Sequence, residues 1–292
     1  MLRGWRGAIL FLTGMAFEQF AFAMTDALVD QLVARFAATP WSPLNQAEID
    51  AQIVPQNRSA RGVYLLGRAR TANASTVYVG QSNSTLYYRL SRHAKFLQDR
   101  YGLPYETIRF KALGIIIFDS VALEERLIQV YETRWDRTDV LSGWNGSGIG
   151  SNDTGGGRDK QKPSGFDRRF PIDVTLNKSG LLVPGGTSGP QFFTRIKSIA
   201  PYTIRLAPTS LIRHADLQTA QIEVTETDTS VLAGLQALLK ELPGMWSAQV
   251  SPVRVLIQRG ADLPEDAIVN PNQWPPAEWL AGEDRGVVFR TE

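Results

Sequence analysis

Apolar residues recur at helical spacing near the start of the chain, where Leu28, Leu32, Val33 and Phe36 fall on one face of Asp26–Phe36. Thr39–Asn57 mixes Pro, Asn and charged residues and reads as a connector. Gly62–Leu66 and Thr76–Gly80 are short runs rich in Val, Leu and Tyr, separated by a polar stretch, which predicts an antiparallel hairpin. Ser82, Asn83 and Ser84 offer N-caps for a helix over about 85–101. Ile108–Phe118 is a strongly apolar third strand, and Ser120 caps a second helix from Val121 to about Arg134. Gly143–Gly157 contains seven Gly and predicts a long irregular loop, a kind of segment that often carries function. Gly180–Pro190 reads as a linker. A β-β-α-β-β pattern follows, with strands near 203–206, 221–224, 246–250 and 253–258, and a helix over about 229–241 started by Asp228. No internal repeat is present. The expected fold is α+β: a small antiparallel β-sheet flanked by helices, plus a smaller C-terminal α+β domain. The expected organisation is an N-terminal extension and helix (1–57), a main domain (58–178), a linker (179–194) and a C-terminal domain (195–292).

Composition adds two constraints. The chain has no Cys, which excludes a disulfide framework, a Cys-ligated zinc site and a thiol nucleophile. The net charge of +2 is unevenly spread. Between Asn57 and Lys111 ten Lys or Arg face only two acids, Asp99 and Glu106, whereas 196–292 holds eight basic and twelve acidic residues. A basic segment of this kind suits a polyanion such as nucleic acid. At the N-terminus, a short basic stretch, the apolar run Ala8–Phe17 and a small-x-small triplet at Ala21–Ala23 have the form of a secretory signal. Thr13, Gly14 and Glu18 break that run, so the favoured reading is a true start at Met15 or Met24 and a cytoplasmic protein, with secretion as the alternative. No stretch approaches the length of a membrane span.

Five features that can carry chemistry occur in order. Gly62-Val63-Tyr64 lies on the first strand and Tyr78-Val79-Gly80 on the second. Arg89 and His93 are four residues apart and share a helix face. Glu124 sits in Leu-Glu-Glu-Arg-Leu-Ile on the next helix, and Asn145 follows in Trp-Asn-Gly. In this the sequence resembles the GIY-YIG nuclease family, over about Ala60–Ile172. The family's metal-binding Glu usually precedes a Leu-Ile pair by three residues; that context selects Glu124 over Glu125. One helical step of about 100° separates the two, so both cannot point into one site. The Arg-x-x-x-His spacing, the Gly-rich stretch from Gly148 to Arg158 and a Ser-x-Phe-Asp (Ser164–Asp167) resemble the type II restriction endonuclease branch. The chain departs from that branch in an insertion between Glu124 and Asn145 (about 133–142) and in Arg168-Arg169-Phe170-Pro171, where the branch tends to have His-Pro-Gly.

The resemblance implies a Mg²⁺-dependent endonuclease, with Mn²⁺ as a substitute, that hydrolyses double-stranded DNA. Its catalytic residues would be Tyr64, Tyr78, Arg89, His93, Glu124 and Asn145. Glu124 would hold the one divalent ion, a hard cation that prefers oxygen ligands. Arg89 would grip the scissile phosphate. Tyr64 would be the general base, its pKa of about 10 lowered by Arg89 and the metal. His93 would relay the proton and Tyr78 would orient water or phosphate. Arg68, Arg70, Arg92, Lys95, Arg158, Lys160 and Lys162 are the expected DNA contacts. A homo-oligomer, dimer or higher, and a companion DNA methyltransferase fit the restriction reading, with no role for a membrane. The alternatives are a GIY-YIG nuclease of repair, of mobile elements or of single strands, a binding protein that lost catalysis, and a secreted nuclease. His214 has no partner pattern and reads as structural.

Overall fold

The computed structural model describes residues 17–20, 28–69, 74–82, 84–115, 121–136, 138–139, 141–150, 162–178, 185–224, 229–260, 268–269, 274–280 and 287–289. The chain divides into two compact units, residues 1–94 with 106–145, and residues 95–105 with 146–292. This division runs through the expected 58–178 domain, and the second unit is the larger of the two.

In the first unit the elements are β1 (Phe17–Phe20), α1 (Leu28–Ala38), β2 (Ser42–Pro43), α2 (Gln46–Asn57), β3 (Gly62–Ala69), β4 (Ala74–Ser82), α3 (Leu86–Phe96), β5 (Ile108–Ile115) and α4 (Val121–Val130). The sheet order is β1-β5-β3-β4, with β2 also paired to β5. β3 runs antiparallel to both neighbours, so the expected small antiparallel sheet flanked by helices is the architecture. β1 departs from it by pairing parallel to β5, with Phe17 opposite Ala112. Phe17–Phe20 is therefore part of the sheet, although its sequence reads as the tail of a leader. The rest of that leader-like segment lies outside the described residues.

Period-two alternation splits the hairpin into two faces. Val63 and Leu65 of β3, Val79 of β4 and Leu113 and Ile115 of β5 pack with Leu32 and Phe36 of α1 and with Leu123, Leu127 and Ile128 of α4. Each such fully buried aliphatic side chain contributes roughly 1.5–3 kcal/mol. Tyr64, Leu66 and Tyr78 belong to the opposite face. Two glycines allow close approach. A Cβ on Gly62 would lie 2.0 Å from the Leu113 carbonyl oxygen, and one on Gly80 would lie 2.3 Å from Cζ of Tyr64. Tyr64 and Gly80 are register partners, so the second triplet ends in Gly because the ring of the first crosses it.

Several boundaries differ from expectation. The 39–57 connector contains α2, capped by Asn45, whose side chain accepts the Glu48 amide at 2.8 Å. Its core-facing residues are Ile49 and Ile53, too few to stand out in a polar run that also holds Pro55. Thr85, not Ser82–Ser84, caps α3 by accepting the Tyr88 amide at 3.0 Å. That helix stops at Phe96, whose carbonyl takes a hydrogen bond from Arg100 Nε at 3.1 Å. α4 ends earlier than the sequence suggests, whereas residues 116–118 of the expected third strand and Ser120, the expected cap of α4, lie outside the described residues.

The second unit contains α5 (Gly165–Arg169), β6 (Gly185–Ser188), α6 (Gly189–Ile199), β7 (Thr203–Ala207), α7 (Ala215–Thr219), β8 (Gln221–Val224), α8 (Val231–Lys240), β9 (Trp246–Ser251), β10 (Arg254–Arg259), β11 (Ile268–Val269), α9 (Ala277–Leu280) and β12 (Val287–Phe289). β9 and β10 form a hairpin in a sheet ordered β11-β12-β9-β10-β7, while β8 pairs with β6. The Gly-rich stretch read as a linker thus supplies β6 and the start of α6, where Pro190 occupies the first turn and Phe192 and Phe193 enter the core. Ser230 caps α8 through the Ala233 amide at 3.0 Å; the expected cap, Asp228, lies outside the described residues. Among the described residues no helix is long and apolar enough to cross a membrane.

Candidate active site

β4 is the edge of its sheet, and α3 and α4 flank the strand that carries Tyr78, Gly80 and Gln81. The hairpin register sets Tyr64 beside this edge, and the α3 spacing brings Arg89 and His93 onto it. Tyr64 Oη and His93 Nε2 are 2.7 Å apart, and Arg89 Nε donates to the same hydroxyl at 3.3 Å. The hydroxyl of Tyr78 also hydrogen-bonds to Tyr64, and the three rings pack with centroids 5.4–6.1 Å apart. A guanidinium can only donate, so Tyr64 must accept from Arg89. Its own proton can then lie toward Nε2 when Nδ1 carries the imidazole proton.

Burial dominates the electrostatics here. Tyr64 is fully buried and His93 is 1% exposed. Burial, then the neighbouring Tyr78, push the Tyr64 phenol well above its ordinary value of 10.0, outweighing the lowering by Arg89. The lowering by Arg89 expected from the sequence is present, but desolvation is the larger effect, and Tyr64 rests protonated. Burial also pushes His93 well below 6.5, with Arg89 and Arg92 adding to the effect, so the imidazole is neutral and able to accept.

Glu124 stands on the first turn of α4, half-buried. Burial raises its carboxyl, while Arg89 and a hydrogen bond from Gln81 oppose that rise. Glu125 is engaged elsewhere: it pairs with Arg134 and accepts from Gln129. Of the two carboxylates, Glu124 is thus the one turned toward Arg89. Among the described residues no three His, Cys, Asp or Glu cluster as a metal cage. The donor set around Glu124 nevertheless suits a hard divalent ion that keeps most of its waters. It offers one partly desolvated carboxylate beside Gln81, whose Oε1 is buried with no hydrogen-bond partner.

Asn145, expected from the sequence in the catalytic set, is brought to this strand and tied to its backbone. Its Oδ1 accepts from the Val79 amide at 2.9 Å and from Thr133 Oγ1 at 2.7 Å, and its Nδ2 donates to the Val79 carbonyl at 2.8 Å. The side-chain amide imitates one residue of an added strand, next to the Trp144 amide that donates to Val77 O at 2.7 Å. Both lone pairs of Oδ1 and one hydrogen of Nδ2 thus bind the scaffold, an arrangement that positions the segment against β4.

Of the expected DNA contacts, Arg92 is half-buried over the ring of Tyr88, which is itself 54% exposed, and Arg68 is half-buried at the end of β3. Lys95 and Lys162 are exposed; Arg70, Arg158 and Lys160 lie outside the described residues. Sequence reading missed Gln81 and Thr133. The strand alternation that puts Gln81 on the same face as Val79 was the available signal for the first. His214 is structural as expected: its Nδ1 accepts the Asp216 amide at 3.2 Å and caps α7. A scan of protein-family models finds none that matches the chain, and a search of curated proteins finds no match either.

Proposed function

We propose that this chain is a divalent-metal-dependent DNA endonuclease of the GIY-YIG type, a cytoplasmic restriction-type enzyme acting on double-stranded DNA. The observation that carries the reading is the convergence of Arg89 and His93 on the one hydroxyl of Tyr64, with Glu124 beside Arg89. That His93 accepts at Tyr64 is what the Arg-x-x-x-His spacing of the restriction branch would provide.

Before substrate arrives, the half-buried Arg89 covers the Tyr64 hydroxyl. A scissile phosphate offers the guanidinium a stronger acceptor, and its engagement uncovers that hydroxyl. Tyr64 then takes a proton from the attacking water while passing its own to His93 Nε2. The new hydroxide attacks phosphorus and the bond to the 3′ oxygen breaks. Burial and two arginines oppose the imidazolium that forms; the negative phosphate beside Arg89 offsets part of that opposition. Glu124 would hold the divalent ion, which when bound would supply charge neutralisation at the phosphate and the leaving oxygen.

Plasmid DNA, methylated and unmethylated, incubated with and without Mg²⁺ tests this. Discrete fragments are expected with Mg²⁺, and Glu124→Ala is expected to lose cleavage by at least about a hundredfold while still retaining DNA binding. Cleavage by Glu124→Ala at the wild-type rate would refute the assignment. Smeared products would favour a non-specific nuclease of the same type.

A further inference from the structure

Gln81 is unexplained by the fold. It lies on β4 opposite Val63, on the face shared with Val79, and it meets Glu124 at the start of α4. Because a carboxylate accepts only, the Gln81 amide must turn Nε2 toward Glu124. That fixes where Oε1 points. Oε1 is left buried with no hydrogen-bond partner, a condition few native side chains tolerate without a ligand or water nearby.

We propose that Gln81 Oε1 is the second protein oxygen of the cation site, accepting a hydrogen bond from a water of the ion bound at Glu124. The proposal rests on the nuclease reading above. A hydrated Mg²⁺ or Mn²⁺ presents several water donors around a single carboxylate, and one acceptor fixed beside that carboxylate selects their orientation. Gln81 then has a use for both ends of its amide: Nε2 orients Glu124 and Oε1 orients the hydrated ion. Such a partner is a positioning residue. It touches no reacting atom, and its loss acts through the ion's affinity and placement.

Calorimetric titration of the full chain with Mn²⁺ tests it, using wild type, Gln81→Met, Gln81→Glu and Glu124→Ala, each with its thermal melt. Gln81→Met, which keeps the side-chain length and removes both polar ends, is expected to weaken Mn²⁺ about tenfold. Gln81→Glu keeps an oxygen and loses the donor, and is expected to bind at least as tightly as wild type. Wild-type affinity in Gln81→Met overturns the proposal. So does a Gln81→Glu variant that binds more weakly than wild type, since the amide would then serve only to orient Glu124. Should Gln81→Met lose its cooperative melt, the Gln81→Glu titration alone decides by the same criterion. Unchanged Mn²⁺ binding in Glu124→Ala would overturn the metal assignment itself. Loss there combined with an indifferent Gln81 overturns this inference alone.

Discussion

At the residue scale, the His93 imidazole is held neutral by its surroundings, and this has a measurable consequence for stability. Its folded-state pKa lies well below 6.5, so under mildly acidic conditions the unfolded chain takes up a proton that the native chain refuses. The stability it contributes is complete above about pH 6.5 and falls as the pH drops below that value, by about 1.4 kcal/mol per pH unit for one proton. Melts of wild type and His93→Gln between pH 7.5 and 5.5 would show it, with the wild type losing more stability on acidification. Parallel curves would mean that the fold does not hold His93 neutral. Tyr64, Arg89, His93 and Glu124 were all legible in the sequence, because triplets on strands and i, i+4 spacing on a helix translate directly into shared faces. The protonation state of Tyr64 was not, since desolvation depends on everything packed around the ring.

Among the elements, the edge strand β4 matters most to the site. Unpaired edges invite association with other strands, and here the Trp144–Asn145 segment covers the edge at Val77 and Val79. Replacing Asn145 with Ala would leave the Val79 amide, the Val79 carbonyl and the Thr133 hydroxyl without a partner. At about 1–3 kcal/mol for each orphaned group, and with partial rescue by water, a loss of about 2–4 kcal/mol is expected in chemical denaturation. A loss below about 0.5 kcal/mol would show that the amide is not what holds this segment. The hairpin, α3, β5 and the C-terminal strands were visible as periodic patterns. α2 was hidden because two isoleucines in a polar stretch make a faint stripe, and β6 because Gly-Gly-Thr-Ser has linker composition.

Across the whole molecule, charge read from the sequence overstates the basic surface, because buried cations count in it. Lys111 donates to the Phe36 carbonyl at 2.7 Å and lies over the Trp41 ring, and burial lowers its pKa. Arg100, 5% exposed, pairs with Asp167 at 3.1 Å and donates to the Phe170 and Pro252 carbonyls. Asp167 also closes the capping box of α5 with Ser164, so the Ser-x-Phe-Asp stretch is a structural device. Asp167→Ala would strand a buried guanidinium and is expected to cost about 3–5 kcal/mol. Denaturant melts would register this, and an unchanged midpoint would rule the pair out as a stabilising element. The two-unit division was not legible, because 95–105 belongs with residues far along the chain, and composition carries no trace of such a pairing.

That displaced segment also bears on timing. Arg100 follows directly on the helix that carries Arg89 and His93, yet its partners wait until Asp167 and Pro252 have been made. At ordinary rates of translation that interval is on the order of ten seconds. Tyr64, Tyr78, Arg89, His93 and Glu124 have all been synthesised before Asp167 and Pro252, the partners of Arg100. A nascent chain would therefore hold the Tyr64–Arg89–His93 cluster before Arg100 meets its partners.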